Sequence, residues 1–145
     1  MLKPVAILFV LAGLAACATP IGGPVTPTGS TTIPSSRIDL GDWRNASESA
    51  TLAAFQRGVA SRYGAGVAIS AVAADLRRNE FSCGAAPPAN GGRGDPPAQV
   101  CRRTISASGC THTWQVHLFG NGALARTRGL YDRRCGGDGL LGGPG

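Results

Sequence analysis

The stretch Cys110-Thr111-His112-Thr113-Trp114-Gln115-Val116-His117-Leu118-Phe119-Gly120-Asn121-Gly122 decides the fold. Trp114, Val116 and Leu118 fall on one face of an extended chain, and Thr113, Gln115 and His117 on the other. That alternation is the period of a half-buried strand. Gly120-Asn121-Gly122 is a hairpin signal, so a strand over 110–119 turns back into one over 123–135. With Asn121 and Gly122 as the turn residues, Leu118 faces Ala125, Val116 faces Thr127, and Trp114 faces Gly129. A large ring over a cross-strand glycine is a sensible pairing. Upstream, 100–107 reads as a third strand, closed onto the second by Ser108-Gly109. Its register is less determined, because Arg103 alternates with Cys101 and Ile105 on one face.

Two helices precede the strands. Asn45 and Ser47 with Glu48 form a helix start, followed by Leu52, Phe55, Val59 and Tyr63 at helical spacing and a stop at Gly64. Ile69, Val72, Ala73 and Leu76 mark one face of a second helix, with Asp75, Arg77 and Arg78 off that face and Asn79 at its end. Neither short helix can bury its stripe alone. The expected class is therefore α+β: a two-helix hairpin packed on a three-stranded antiparallel meander, ααβββ, hiding Trp114, Val116 and Leu118. Between helices and meander, 84–98 holds four Gly and four Pro and reads as a loop. Its Arg93-Gly94-Asp95 spells an adhesion motif that an Arg- and Gly-rich chain produces by chance.

The whole chain has 145 residues, enough for one modest domain and too few for a multidomain enzyme. Its one continuous apolar run, 5–16, is shorter than the roughly 20 residues a membrane-spanning helix needs. Lys3 before that run and the small pair Ala15-Ala16 at its end, after the 5–14 apolar core, complete the layout of a secretory signal peptide. Leu14-Ala15-Ala16-Cys17 resembles the lipobox of bacterial lipoproteins. That resemblance implies acylation of Cys17, which becomes the first residue of the mature chain. Two or three acyl chains anchor stably at about 0.8 kcal/mol per buried methylene. By resemblance to sorting in Gram-negative lipoproteins, Ala18 in place of Asp implies the outer membrane, facing the periplasm. Residues 18–36 carry no charge and little apolar surface, so they read as a flexible tether. The expected organisation is a leader over 1–16, lipidated cysteine and tether over 17–36, the folded domain over 37–135 and a disordered glycine-rich tail over 136–145.

Cys83, Cys101, Cys110 and Cys135 contain no Cys-x-x-Cys pair, and their spacing does not fit a zinc site. In an exported chain disulfides are the default. Four cysteines allow three connectivities. The hairpin register above sets Cys110 opposite Arg133 and close to Cys135, which leaves Cys83 with Cys101. Catalytic signals are not found. His112 and His117 point to opposite faces of one strand and cannot share a metal or a nucleophile. The single lysine, Lys3, excludes a phosphate-binding loop of the usual kind. No cofactor is expected, and the chain does not read as an enzyme. The formal net charge is +6, carried by 13 Arg and one Lys against eight acids. Arg102, Arg103, Arg126, Arg128, Arg133 and Arg134 fall in one sheet region. Such a region is either a solvated basic face or a contact for anionic head groups or an acidic partner. Arg126, Arg128 and Arg133 are the candidate contact residues. An exported protein is a poor fit to a nucleic-acid partner.

Gly66-Val67-Ala68 with Val72 and Leu76 resembles the Gly-Met-Thr, Val, Leu spacing of the BamE (SmpA) family, small outer-membrane lipoproteins of the β-barrel assembly machinery. The same helix-helix-three-strand unit occurs in β-lactamase-inhibitor-like proteins, which also carry disulfides. Leu76 is followed by Arg77-Arg78 where the family has Gly-x-Pro, and the four cysteines are foreign to the assembly-factor branch. The resemblance implies a non-catalytic interaction module in outer-membrane assembly or envelope maintenance. Its disulfide-bearing relatives imply the alternative, an inhibitor or binder of a periplasmic enzyme.

Overall fold

The structure, a computed structural model, describes residues 31–88 and 94–136. The expected leader, Cys17, the tether up to residue 30, Arg93 and the tail beyond Gly136 lie outside them. The elements run α1 (Glu48–Arg62), α2 (Ile69–Arg78), β1 (Ser82–Ala85), β2 (Gln99–Ala107), β3 (Cys110–Asn121) and β4 (Ala123–Cys135). The strands form one sheet in the order β1-β2-β3-β4, with every neighbouring pair antiparallel. The class is α+β, but the sheet has four strands where the sequence pattern showed three. Ser82-Cys83-Gly84-Ala85 has neither length nor apolar alternation to mark it. It is a strand because β2 supplies its hydrogen bonds and the Cys83–Cys101 disulfide pins the pair.

The last hairpin is displaced by two residues from the register expected of an Asn121-Gly122 turn. Asn121 pairs with Ala123 across Gly122, and a bulge after Phe119 leaves Ala125 unpaired. Leu118 therefore meets Thr127, Val116 meets Gly129, and Trp114 meets Tyr131. Gly120 makes the bulge possible: at φ 141° an added Cβ would sit 2.1 Å from the Ala123 carbonyl oxygen. The displacement brings Cys110 directly opposite Cys135, and these two form the second disulfide. Gly129 does not accommodate Trp114. It admits Phe55 of α1, whose ring carbons would lie 3.2 and 3.3 Å from a Cβ there.

Ser47 caps α1 by accepting the Ala50 N–H at 3.2 Å. The face α1 buries is Thr51, Phe55, Val59 and Arg62, so Leu52 of the expected stripe is displaced to a half-buried flank by Thr51. α2 buries Ile69, Val72, Ala73 and Leu76. It ends at Asn79 with Glu80 at φ 68°, the Glu80 N–H donating to Arg77 O and the Phe81 N–H to Leu76 O. This reversal is a Schellman motif, and it returns Phe81 to the core against Leu76. Both helices lie on the face of Trp114, Val116 and Leu118, all three fully buried. The loop between them is laced to the start of β4. Gly66 N–H donates to Leu124 O, Leu124 N–H to Val67 O, and Ile69 N–H to Gly122 O. Gly66-Val67-Ala68 thus joins the connection between the two helices to the β3–β4 hairpin.

Asp75 does not sit off the buried face; it is 2% exposed. Its carboxylate accepts from Arg62 at 2.8 and 3.2 Å, from the Tyr63 hydroxyl at 2.7 Å and from Arg78 at 2.8 Å. Burial alone would push the Asp75 carboxyl up. The hydrogen bonds from Arg62, Tyr63 and Arg78, with the Arg62 charge, outweigh it and hold the group below the ordinary carboxylate range. The same Arg62 guanidinium donates to the carbonyls of Pro34 and Ser36 at 2.9 and 2.7 Å. Packing therefore begins N-terminal of Arg37. From there the strap 33–43 buries Ile38 and Trp43 and receives the Trp114 indole N–H on Leu40 O at 3.1 Å.

Two outcomes follow from this packing. Gly129→Val should lose about 1–3 kcal/mol in urea unfolding, because Phe55 has no room to withdraw. Asp75→Asn should lose about 3 kcal/mol at neutral pH, since it leaves Arg62 buried without its counter-charge. The Asp75 contribution is present above the unfolded carboxylate pKa of about 4 and is lost as pH falls through the lower folded value. Thermal melts of the wild type should fall in acid more steeply than those of Asp75→Asn.

Candidate functional site

Alternation along the strands sorts the arginines of the sheet. In β3 the even positions from His112 to Leu118 face the helices, so Thr111, Thr113, Gln115, His117 and Phe119 face away. Cross-strand pairing adds Arg126, Arg128, Leu130, Asp132 and Arg134 from β4, and Val100, Arg102 and Thr104 from β2. Among the described residues no helix lies on this face. Arg126 and Arg128 are therefore together on it, joined by Arg102 and Arg134. Arg133 is not. It points to the helix side, opposite His112. Arg103 also points to the helix side, where it donates to Asn79 O at 3.1 Å and pairs with Glu80 at the end of α2. An arginine on an otherwise apolar face is explained by that carbonyl, which the helix leaves without a partner.

The four arginines of the open face differ in what holds them. Arg126 lies over the Phe119 ring at 3.6 Å and covers it, leaving Phe119 buried. Arg134 donates to Asp132 at 2.9 Å. Arg102 and Arg128 have no ion-pair partner among the described residues. Arg102 borders a shallow cavity of about 360 Å³ shared with Thr113, Gln115 and Arg134. It also borders a wider groove of about 580 Å³ between Val100, Gln115 and His117 and the loop prolines Pro87 and Pro97. The face thus offers guanidinium forks, hydroxyls and an amide beside that groove. Those are groups that recognise carboxylates and polar backbone.

The two histidines are separated as the alternation requires. His117 is half-buried on the open face, its Nε2 3.4 Å from Gln115 Oε1. His112 is buried on the helix face, with Nδ1 2.7 Å from the Tyr131 hydroxyl. Burial, and then the Arg128 charge, lower the pKa of His117 below that of free imidazole. Among the described residues no group of three His, Cys, Asp or Glu is placed to hold a metal ion. No helix among them is long and apolar enough to cross a membrane. Cys17, the expected lipidation site, lies outside the described residues. Cys83, Cys101, Cys110 and Cys135 are all in cross-strand disulfides.

Compared with protein-family models, curated proteins and solved structures, the chain finds no match in any of the three.

The electrostatic link on the open face can be measured directly. In Arg128→Ser the His117 ring should titrate at a higher pH than in the wild type, followed by its Cε1 proton resonance. An unchanged titration would place the Arg128 charge elsewhere than over His117.

Proposed function

We propose that this chain is a lipid-anchored, non-catalytic interaction module that faces the periplasm from the outer membrane and acts in outer-membrane assembly or envelope maintenance. The observation that carries this reading is the sheet face on which no helix lies among the described residues, where Arg102, Arg126, Arg128 and Arg134 stand beside Gln115, Thr113 and a groove of about 580 Å³. An antiparallel sheet covered on one side leaves its polar side to solvent, where a second surface can reach it. Its charge favours an acidic protein partner, whose approach such a face would steer. The lipobox-like run ending at Cys17 supports anchorage, and the two disulfides support an oxidising compartment. Resemblance of Gly66-Val67-Ala68, Val72 and Leu76 to the BamE pattern supports the assembly role.

A second reading, a binder or inhibitor of a periplasmic enzyme, is favoured by the disulfides. They fasten β1 to β2 and β3 to β4, and so stiffen the same open face. A rigid face loses less conformational entropy on docking.

Photo-crosslinking from position 115 in the full chain, in intact envelopes, separates the readings. Barrel-assembly subunits as the adducts support the first, and a soluble hydrolase supports the second. Arg102→Ser with Arg128→Ser should cut the adduct yield roughly tenfold and flatten its dependence on salt. Arg126 is left in place because its removal would uncover Phe119. A yield unmoved by the double variant would overturn the open face as the docking surface.

A further inference from the structure

A separate cleft of about 330 Å³ opens on the helix side of the sheet, where the strap meets the ends of β2, β3 and β4. Trp43, Arg44, His112 and Arg133 line it, with the Cys110 end of the second disulfide and Asn45 at its margin. Trp43 is buried and lies 4.7 Å from the His112 ring in an edge-on contact. Arg44 lies over Trp43 at 4.2 Å, so its guanidinium is held at the mouth. His112 is 5% exposed. Its Nδ1 is taken by Tyr131, and no protein group among the described residues meets Nε2. The His112 ring itself borders the cleft. Neither Arg44 nor Arg133 has an ion-pair partner among the described residues.

We infer that this cleft is a binding subsite for a carboxylate carried on a small apolar group, such as an acidic side chain or a chain terminus of a peptide. Two unpaired guanidinium groups supply the planar forks that match a carboxylate; the Asn45 amide beside them donates one hydrogen to Asp42 Oδ1 at 2.9 Å and so contributes at most its second. The Trp43 ring, Ala107 and the disulfide give the apolar wall against which the carbon skeleton packs. A buried histidine with one nitrogen fixed by a tyrosine hydroxyl is a positioned donor or acceptor at the floor. The site faces away from Arg102 and Arg128 and stands independently of the docking surface proposed above.

Binding has a signature at His112. Burial, then the Arg133 and Arg44 charges, depress its pKa. The other groups around it are Tyr131 on β4 and Glu48 at the start of α1, which lies near Tyr131. A carboxylate between the two arginines offsets their charges, so bound ligand raises the His112 pKa.

The test is a nuclear magnetic resonance titration of the full chain at constant ionic strength. The probes are sodium acetate and two short peptides, one with an internal aspartate and both ends blocked, the other with a leucine and a free C-terminal carboxylate. Saturable shifts of the His112 and Trp43 ring signals are expected, with a dissociation constant on the order of 1 mM for acetate. The tighter-binding peptide identifies the source of the carboxylate. Arg133→Gln and Arg44→Gln should each weaken binding roughly tenfold, whereas Arg128→Gln should leave it unchanged. Arg133→Lys, which keeps the charge and loses the fork, should fall between. Shifts that fail to saturate in the wild type, or that sodium chloride reproduces, would overturn the subsite. So would an equal loss in Arg128→Gln, which would reduce the effect to the general charge of the protein.

Discussion

A carboxylate can be buried at the centre of this small domain because one guanidinium meets it there. Arg62 donates two hydrogen bonds to Asp75 and, from the same group, reaches the carbonyls of Pro34 and Ser36. One side chain thus fastens the end of α1 to α2 and both to the strap. The strap then determines what happens at the far end of the sheet. Held at Ser36 and again at Ile38, whose N–H donates to Asn79 Oδ1, it delivers Leu40 O to the Trp114 indole. It then places Trp43 against His112 and Trp114. A buried ion pair adds little to stability relative to apolar packing of the same shape. Its effect here is geometric, since no apolar pair could also have bonded two carbonyls of the strap.

The second constraint is sidedness. Trp114, Val116 and Leu118 require cover, and two helices of 15 and 10 residues cover one face of four strands. No third layer lies among the described residues, and the outward positions of β2, β3 and β4 carry mostly polar and basic side chains, with Val100, Phe119 and Leu130 the apolar ones. The arginines that point inward are each met by something specific. Arg62 has Asp75 and two carbonyls, and Arg103 has the end of α2. Arg133 is the exception, because at its position the helices have run out and the cleft begins.

What was legible in the sequence is what depends on local periodicity. The Trp114-Val116-Leu118 alternation, the α2 stripe, the Ser47 cap and the Ser108-Gly109 turn are short-range patterns, and each lies where its pattern puts it. What was not legible depends on partners distant in the chain. β1 has no pattern of its own. The hairpin register turned on a bulge that Gly120 permits and a turn motif cannot announce. Asp75 looked like a solvated neighbour of Arg77 and Arg78, because nothing in its own helix indicates that Arg62 comes to meet it. The strap was missed for the same reason: Ile38, Leu40 and Trp43 are isolated apolar residues without a period. The arginines form a group in the sequence, but the face of each follows its parity along the strand, a local signal that was there to be read. A register taken by even numbers of residues keeps the face, so Arg126 and Arg128 remained together. Arg133, odd where they are even, could not be with them.

The two disulfides bear on how such an arrangement stays folded. A sheet with one open face buries apolar side chains on only half of its surface, and a domain of this size is marginal even when well covered. Each bridge here joins residues directly opposite on neighbouring strands, Cys83 with Cys101 and Cys110 with Cys135. They close loops of 18 and 25 residues, which stabilises by about 3 kcal/mol each on the chain-entropy account. Their positions matter as much as their energy. The first holds β1, an edge strand of four residues that would otherwise depend on few hydrogen bonds, and so holds one border of the open groove. The second fastens β3 to β4 beside the cleft lined by His112 and Arg133. Cross-links at these two places let the open face remain polar and uncovered, because the strands that form it need not be held by a second layer of core.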